Sequence, residues 1–279
     1  MPAGLRQTVQ GISGTPLPHG ILGASCSTVI DVTEDSIHEL NGVEWLAMGC
    51  CPARDWPDPC GPLPGAPTEK EFCRPETEHA TPITVYAGAE CSAPGFSYEE
   101  ARAQALASLA LGEQHAVEAG FMRTKLTQDA LDITPAEGPL SMAQGVAALE
   151  GCLAENYGGV GTLHVPAGAA ALLGCCNILR EDPATGTLRT LVGNCAVIGA
   201  GYSYLNQGPG NIPADPGTAW LYITGPLVIR RGPIDVIPDR GRASASVNIR
   251  NNDRRVLAER TWLVGTTCTI CAVNVRVCE

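Results

Sequence analysis

Lysine is nearly missing from this chain: only Lys70 and Lys125 occur, and every other side-chain cation apart from histidine is an arginine. With 29 acidic residues against 18 basic ones the formal net charge is −11. A general nucleic-acid binder needs a basic patch that neutralises phosphates and releases counterions, and the overall balance supplies none. Charged residues make up only 17% of the chain, yet no run of about 18 apolar residues appears, which excludes a helical membrane span on length. The opening MPAGLRQTVQGISG has no apolar core of the kind a secretory signal carries, so the expectation is a soluble protein made in a cytosol. Catalytic signatures are absent too. There is no G-x-S-x-G elbow, no H-E-x-x-H and no Walker loop, and glycine clusters such as GAGYSYLNQGPG lack the strand-turn-helix frame that holds a phosphate. No catalytic, cofactor or metal residues are assigned, and the chain is not expected to be an enzyme.

What is abundant is glycine, proline and cysteine, at 32, 22 and 13 residues. The first two indicate many turns and extended arms rather than a helical bundle. The cysteines conflict with the cytosolic expectation, because thiols there are normally kept reduced. Cys50, Cys51, Cys60, Cys73 and Cys91 fall in the proline-rich first third and are the candidates for disulfides or for thiols that pair between subunits. Cys152, Cys175, Cys176 and Cys195 lie in helix or strand contexts and read as small apolar filling. The spacings of the first group do not match paired C-x-x-C zinc ribbons. Cys268 and Cys271 form the only C-x-x-C pair, but TTCTICAVNV alternates like a strand, where positions three apart point to opposite faces. An odd count leaves at least one cysteine without a partner inside a monomer.

Along the chain, residues 1–40 are turn-rich and read as an extended arm. Asn41-Gly42 and VEWLAMGCC give a turn and a strand, whose expected partner is PITVYAGAEC at 82–91. Between them the stretch from Pro52 to Pro75 exceeds an ordinary loop, which favours a functional extension over a rigid surface loop. Ser97 then caps the longest helix, with Glu99 and Glu100 in its first turn, where the helix dipole favours anions. Leu106, Leu109, Ala110, Val117 and Phe121 form its apolar stripe. His115 beside Glu113 and Glu118 suggests metal or acid–base chemistry, but charges three and four apart are ordinarily solvated neighbours. A second helix, Ser141 to Tyr157, carries Met142, Val146, Leu149, Leu153 and Tyr157 on one face and ends at Gly158-Gly159. His164 in GTLHVP is read as a buried, hydrogen-bonded imidazole rather than a ligand. Residues 199–217 show neither period and are expected to form a loop at the tip of a central domain. Arg230, Arg231, Arg240, Arg242, Arg250, Arg254 and Arg255 make the last third the most basic part, with the acidic stretches 31–44 and 69–78 as prospective partners in subunit pairing.

The order of these elements carries a resemblance. SMAQGVAALEGCLAENY, then GTLHVP, AGAAALLGCC and LRTLVGNCAVIGAGY, followed by AWLYITGPLVIRRGPIDVI and NNDRRVLAERTWLVGTTCTICAVNVRV, resembles the major capsid proteins of tailed bacteriophages, whose Hong Kong ninety-seven fold encapsulin shells share. The long helix resembles the spine helix of that family, with Glu113, Glu118 and a closing Gly120 similar to the encapsulin form. The resemblance implies a mixed α+β protein: N-terminal arm 1–40, extended hairpin loop 41–96, spine helix and part of a peripheral domain 97–137, central domain 138–235, and peripheral C-terminal strands 236–279. It implies a structural role in the virion, in which hexamers and pentamers assembled in the host cytoplasm tile an icosahedral shell around double-stranded DNA, with a portal ring. Since Met1 is not followed by a long charged helical segment, a separate scaffolding protein is expected. The acidic balance suits a wall that encloses DNA without adhering to it, and bridges formed after release from a lysed cell would reconcile the cysteines with cytosolic synthesis. The alternatives are an encapsulin-type compartment, a minor decoration or neck protein, and, from another class, a cysteine-dependent enzyme, for which the sequence places no histidine beside a cysteine.

Overall fold

The computed structural model describes residues 14–51, 53–54, 70, 72–174, 177–204 and 206–277. In chain order the elements used below begin with β1 (Ser27–Asp31), β2 (Val43–Leu46), β3 (Thr77–Ala80), β4 (Pro82–Ser92), α1 (Tyr98–Phe121), β5 (Ala130–Asp132), α2 (Met142–Asn156) and β6 (Thr162–Pro166). Then follow β7 (Arg180–Glu181), β8 (Leu188–Arg189), β9 (Cys195–Gly199), α3 (Ala200–Tyr204), β10 (Thr218–Thr224), β11 (Leu227–Arg231), β12 (Asp235–Ile237), β13 (Asp253–Gly265) and β14 (Ile270–Arg276).

Two sheets organise the molecule. The peripheral sheet is built on β13, which pairs antiparallel with β4 along its length, from Asp253 opposite Ser92 to Leu263 opposite Pro82. On its other edge β13 meets β12 and then β11, and β1 adds to β11 in parallel. Strand β4 buries Ile83, Val85 and Ala89 at alternating positions, and α1 lays Ala101, Ala105 and Leu109 on that face, with Val256, Ala258 and Trp262 of β13 completing the core. The small alanines let the helix sit close to the sheet. Ser97 caps it reciprocally with Glu100, so two otherwise orphaned backbone donors are satisfied.

The central sheet runs β5-β14-β10-β6-β9-β8-β7. Strands β6, β10 and β14 are buried almost throughout, because both faces are covered. On one face α2 packs Met142, Val146, Leu149 and Leu153 against Leu163, Val165, Leu221, Ile223 and Val273. Gly145 is needed there, since a Cβ would stand 2.3 Å from a methyl of Val275. The opposite face, with Val197, Tyr222 and Ala272, joins the core of the peripheral sheet through Phe121 and Leu126 at the end of the long helix.

Several expectations change. The partner of β2 is β3, with Val43 opposite Ala80, and β4 is released to pair with β13. The 235/236 boundary does not separate the sheets: β11 already belongs to the peripheral one, while the last strand, β14, returns to the central one beside β10. Alternation gives a strand's face, not its neighbour. The long helix does not end at Gly120 but continues through a π-helical turn at Met122–Leu126 into Thr127–Asp129. That glycine serves packing instead, for a Cβ there would lie 2.6 Å from Ile83. Residues 199–217 are no tip loop at their start, since α3 packs on α1 with Tyr202 fully buried. Ala110, placed on the apolar stripe, is exposed.

Candidate functional site

The arm and both sheets converge on the second half of α1, and the β2–β3 hairpin meets the π-helical turn that follows it. Positions 114 and 118 are polar within a stripe that is otherwise apolar, and both are buried. Gln114 accepts a hydrogen bond from the Gly23 N–H at 3.0 Å and donates to the Leu17 carbonyl at 2.9 Å. Glu118 accepts from the Ile21 N–H on one oxygen at 3.0 Å and from the Gly201 N–H on the other at 2.8 Å. One carboxylate thus joins the arm, the long helix and α3. Close approach is possible because glycines surround it: a Cβ on Gly20, Gly199 or Gly201 would come within 2.6 Å of Glu118 atoms. Burial pushes the Glu118 carboxyl up to about 7, against the two backbone donors that favour its charge.

Farther along, Lys125 is buried and holds Glu78 of β3 and Asp129, each at 2.7 Å. Burial alone would lower its ammonium, but the two carboxylates outweigh burial and keep it above its ordinary value. Glu113 pairs with Arg260 of β13 at 3.0 Å, and the guanidinium stacks 5.4 Å from the centre of the Trp262 ring. Burial nevertheless holds the Glu113 carboxyl above its usual range. His115 is exposed beside Tyr204, while Glu113 and Glu118 turn to different partners, so the three do not form a cluster. His164 is fully buried, with Nδ1 3.0 Å from the Tyr202 hydroxyl and Nε2 3.0 Å from the Thr224 hydroxyl. Burial lowers its pKa to about 3, so it stays neutral. Among the described residues no group of His, Cys, Asp and Glu is arranged to hold a metal ion.

Covalent ties reinforce the same junctions. Cys26 of the arm bridges to Cys195 of β9, Cys50 at the hairpin root to Cys268 ahead of β14, Cys51 to Cys73, and Cys152 of α2 to Cys271 of β14. Cys91 is unbridged and half-buried. Cys60, Cys175 and Cys176 lie outside the described residues. The reading of Cys152 and Cys195 as packing alone is therefore corrected: both are partly or fully buried, as filling would be, but each faces a cysteine brought near by the fold, Cys271 of β14 and Cys26 of the arm. Cys268 and Cys271 go to separate bridges with Cys50 and Cys152. Part of the acidic stretch 31–44 meets the basic one within the chain, with Arg230 on Glu39 and Arg231 on Asp31. Sequence reasoning missed Gln114, Lys125 and the arm's bridge; polar residues four apart inside an apolar stripe were the available signal for the first.

No family model and no curated protein matches this chain. Solved structures do. The chain superposes on a structure of Mycobacterium phage Ogopogo at 15% identity, over 99% of this chain and 97% of that one, with a TM-score of 0.52. It matches the capsid of Ralstonia phage GP4 at 10% identity over 99% and 96%, with a TM-score of 0.51. The holo-SrpI encapsulin complex from Synechococcus elongatus PCC 7942 matches at 10% identity over 99% and 94%, with a TM-score of 0.54. The fold is therefore the mixed α+β fold of phage capsids and encapsulins, the one that the element order resembles.

Proposed function

We propose that copies of this chain build a closed icosahedral shell, as the major capsid protein of a tailed bacteriophage enclosing double-stranded DNA. The observation that carries the reading is the end-to-end match, which takes in the arm, the long helix and both sheets rather than one shared motif. A fold that is alike over 99% of the chain leaves little room for a separate catalytic domain. The cysteine-enzyme alternative loses ground as well. Of the nine cysteines among the described residues, eight are bridged, which leaves Cys91 as the only free thiol there. A decoration or neck protein accounts for the turns and cysteines but not for the match over both sheets.

The shell would consist of hexamers and pentamers assembled in the host cytoplasm on a separate scaffolding protein, with a portal ring at one vertex. The net charge of −11 suits a wall that does not adhere to its contents. An encapsulin-type compartment is the second reading, favoured by the match to the holo-SrpI complex. Negative-stain electron microscopy of the purified native assembly, beside reducing and non-reducing gels, tests the proposal. Closed icosahedral particles containing nucleic acid are expected; closed particles filled with protein cargo favour the compartment. A chain that stays monomeric with scaffold supplied overturns the shell. The four described bridges lie within one chain and add no ladder to the non-reducing gel.

A further inference from the structure

The four bridges fall into two classes by access. Cys26–Cys195 and Cys152–Cys271 each have one sulfur sealed in the central sheet, since Cys195 is 4% and Cys271 0% exposed. The other two bridges start from the consecutive, half-buried residues Cys50 and Cys51; Cys73 is exposed but Cys268 is only 8% exposed, so it is the cavity they share rather than burial alone that sets them apart. Cys50, Cys51, Cys73 and Cys268 all border one cavity of about 450 Å³, together with Arg74, Glu78 and Lys125. Small thiols and disulfides have a route to this node that the sheet denies to the other pair. A second observation concerns Thr267. Its hydroxyl lies 3.7 Å from the Cys50 sulfur and 3.8 Å from the Cys268 sulfur. It is placed to donate to whichever sulfur becomes a thiolate, and a hydrogen bond to an ionised acceptor is stronger than one to a neutral acceptor.

We propose that the bridge Cys50–Cys268, which ties the root of the β2–β3 hairpin to the segment ahead of β14, and the bridge Cys51–Cys73, which closes that root, form a redox-operated latch, opened by small-molecule thiols and closed by small-molecule disulfides, while the two sheet-buried bridges remain shut. Exchange depends on access and on how well the departing thiolate is stabilised. In opening, a small thiolate attacks the more accessible Cys50 sulfur, the sulfur–sulfur bond breaks, and its electron pair leaves on Cys268 as a thiolate beside the Thr267 hydroxyl. A second small thiol then displaces Cys50 from the mixed disulfide. The net change is one protein disulfide and two small thiols converted to two protein thiols and one small disulfide, and closing is the reverse. With the latch open the hairpin still has non-covalent ties, the Lys125–Glu78 ion pair at 2.7 Å and Trp45 packed against Gly265. Opening therefore loosens the hairpin root without unfolding the chain. Thr267 acts as a positioning residue for the leaving thiolate.

The test equilibrates the full chain in buffers of reduced and oxidised glutathione without denaturant, quenches it by alkylation and quantifies each cysteine by mass spectrometry. Expected is alkylation of Cys50, Cys51, Cys73 and Cys268 under reducing buffers while Cys26, Cys195, Cys152 and Cys271 stay bridged. Thr267→Val should shift the Cys50–Cys268 equilibrium toward the disulfide by roughly three- to tenfold, the fold-change that one hydrogen bond supplies. As a control independent of that variant, hydrogen exchange in β2 and β3 of the reduced chain should match that of an oxidised chain in which Cys50, Cys51, Cys73 and Cys268 are all replaced by Ala, so that both bridges of the latch are missing. Reduction of all four bridges together, a node that resists until the chain unfolds, or an unchanged equilibrium in Thr267→Val overturns the latch. The readout needs no assembled particle, so its failure and that of the shell reading are distinguishable.

Discussion

At the scale of single residues, the buried carboxylate of Glu118 makes the sharpest prediction. Its folded pKa, about 7, lies above the ordinary 4.5. The folded state therefore binds the proton more tightly than the unfolded chain, and this group's stabilising contribution is complete below 4.5 and lost as pH rises through 7. Glu118→Gln removes the titration and turns an NH₂ toward a backbone N–H of Ile21 or Gly201, at a cost of about 1–3 kcal/mol in acid. The stability gap between the two proteins should thus narrow between pH 4.5 and pH 8, read from denaturant midpoints; a constant gap would remove Glu118 as the titrating group. His164 works in the opposite sense. Its folded pKa, about 3, is below its ordinary 6.5, so the folded state resists protonation and stability falls on acidification between those values. Comparing Glu118→Gln with the parent chain separates the two trends.

Between elements, close approach decides the outcome. Gly201 at the start of α3 sits against α1 so tightly that a Cβ would stand 2.2 Å from the His115 carbonyl oxygen. Backbone cannot step aside as a side chain can, and Gly201→Ala should destabilise the fold by about 1–3 kcal/mol through overpacking, with thermal unfolding as the measure. A substitution that left the midpoint unchanged would mean that the helix contact is looser than described. The hairpin root depends on charge instead. Lys125→Met removes the ties to Glu78 and Asp129, whose side chains are 24% and 44% exposed and can rehydrate, so the expected loss is only about 1–2 kcal/mol. Faster hydrogen exchange should be confined to β2 and β3, and uniform acceleration across the central sheet would contradict a local role. Helix starts were legible because the Ser97 and Ser141 capping boxes and the apolar stripes are local chemistry. Strand partners were not, because β3 and β4 are separated only by residue 81 and either suits β2 by alternation alone.

For the whole molecule, charge sets the expectation toward DNA. A chain of net charge −11 releases few counterions on meeting a duplex, so the isolated protein should show no band shift with duplex DNA at about 150 mM salt, where even non-specific binders act near 10⁻⁴–10⁻⁶ M. Tight binding would imply a local basic surface strong enough to overcome that net charge. Arg230 and Arg231 meet Glu39 and Asp31 of their own chain because β1 lies parallel beside β11, a long-range meeting that only the fold decides. The cysteines follow the same rule, since Cys26 and Cys195 are 169 residues apart and only the packing of the arm on β9 brings them together.

What the sequence determined by itself is what short-range periodicity encodes: the long capped helix, the second helix with its four buried apolar residues, the turn-rich arm, the buried histidine and the absence of catalytic motifs. Element order sufficed to suggest the fold, because each element's type is written locally and the succession of types is distinctive. Only the tertiary structure decided the strand neighbours, the return of β14 to the central sheet, the four disulfide partners and the roles of Gln114, Glu118 and Lys125. Each of these depends on pairs far apart in the chain, and which pairs meet is a property of the packed whole rather than of any window of residues.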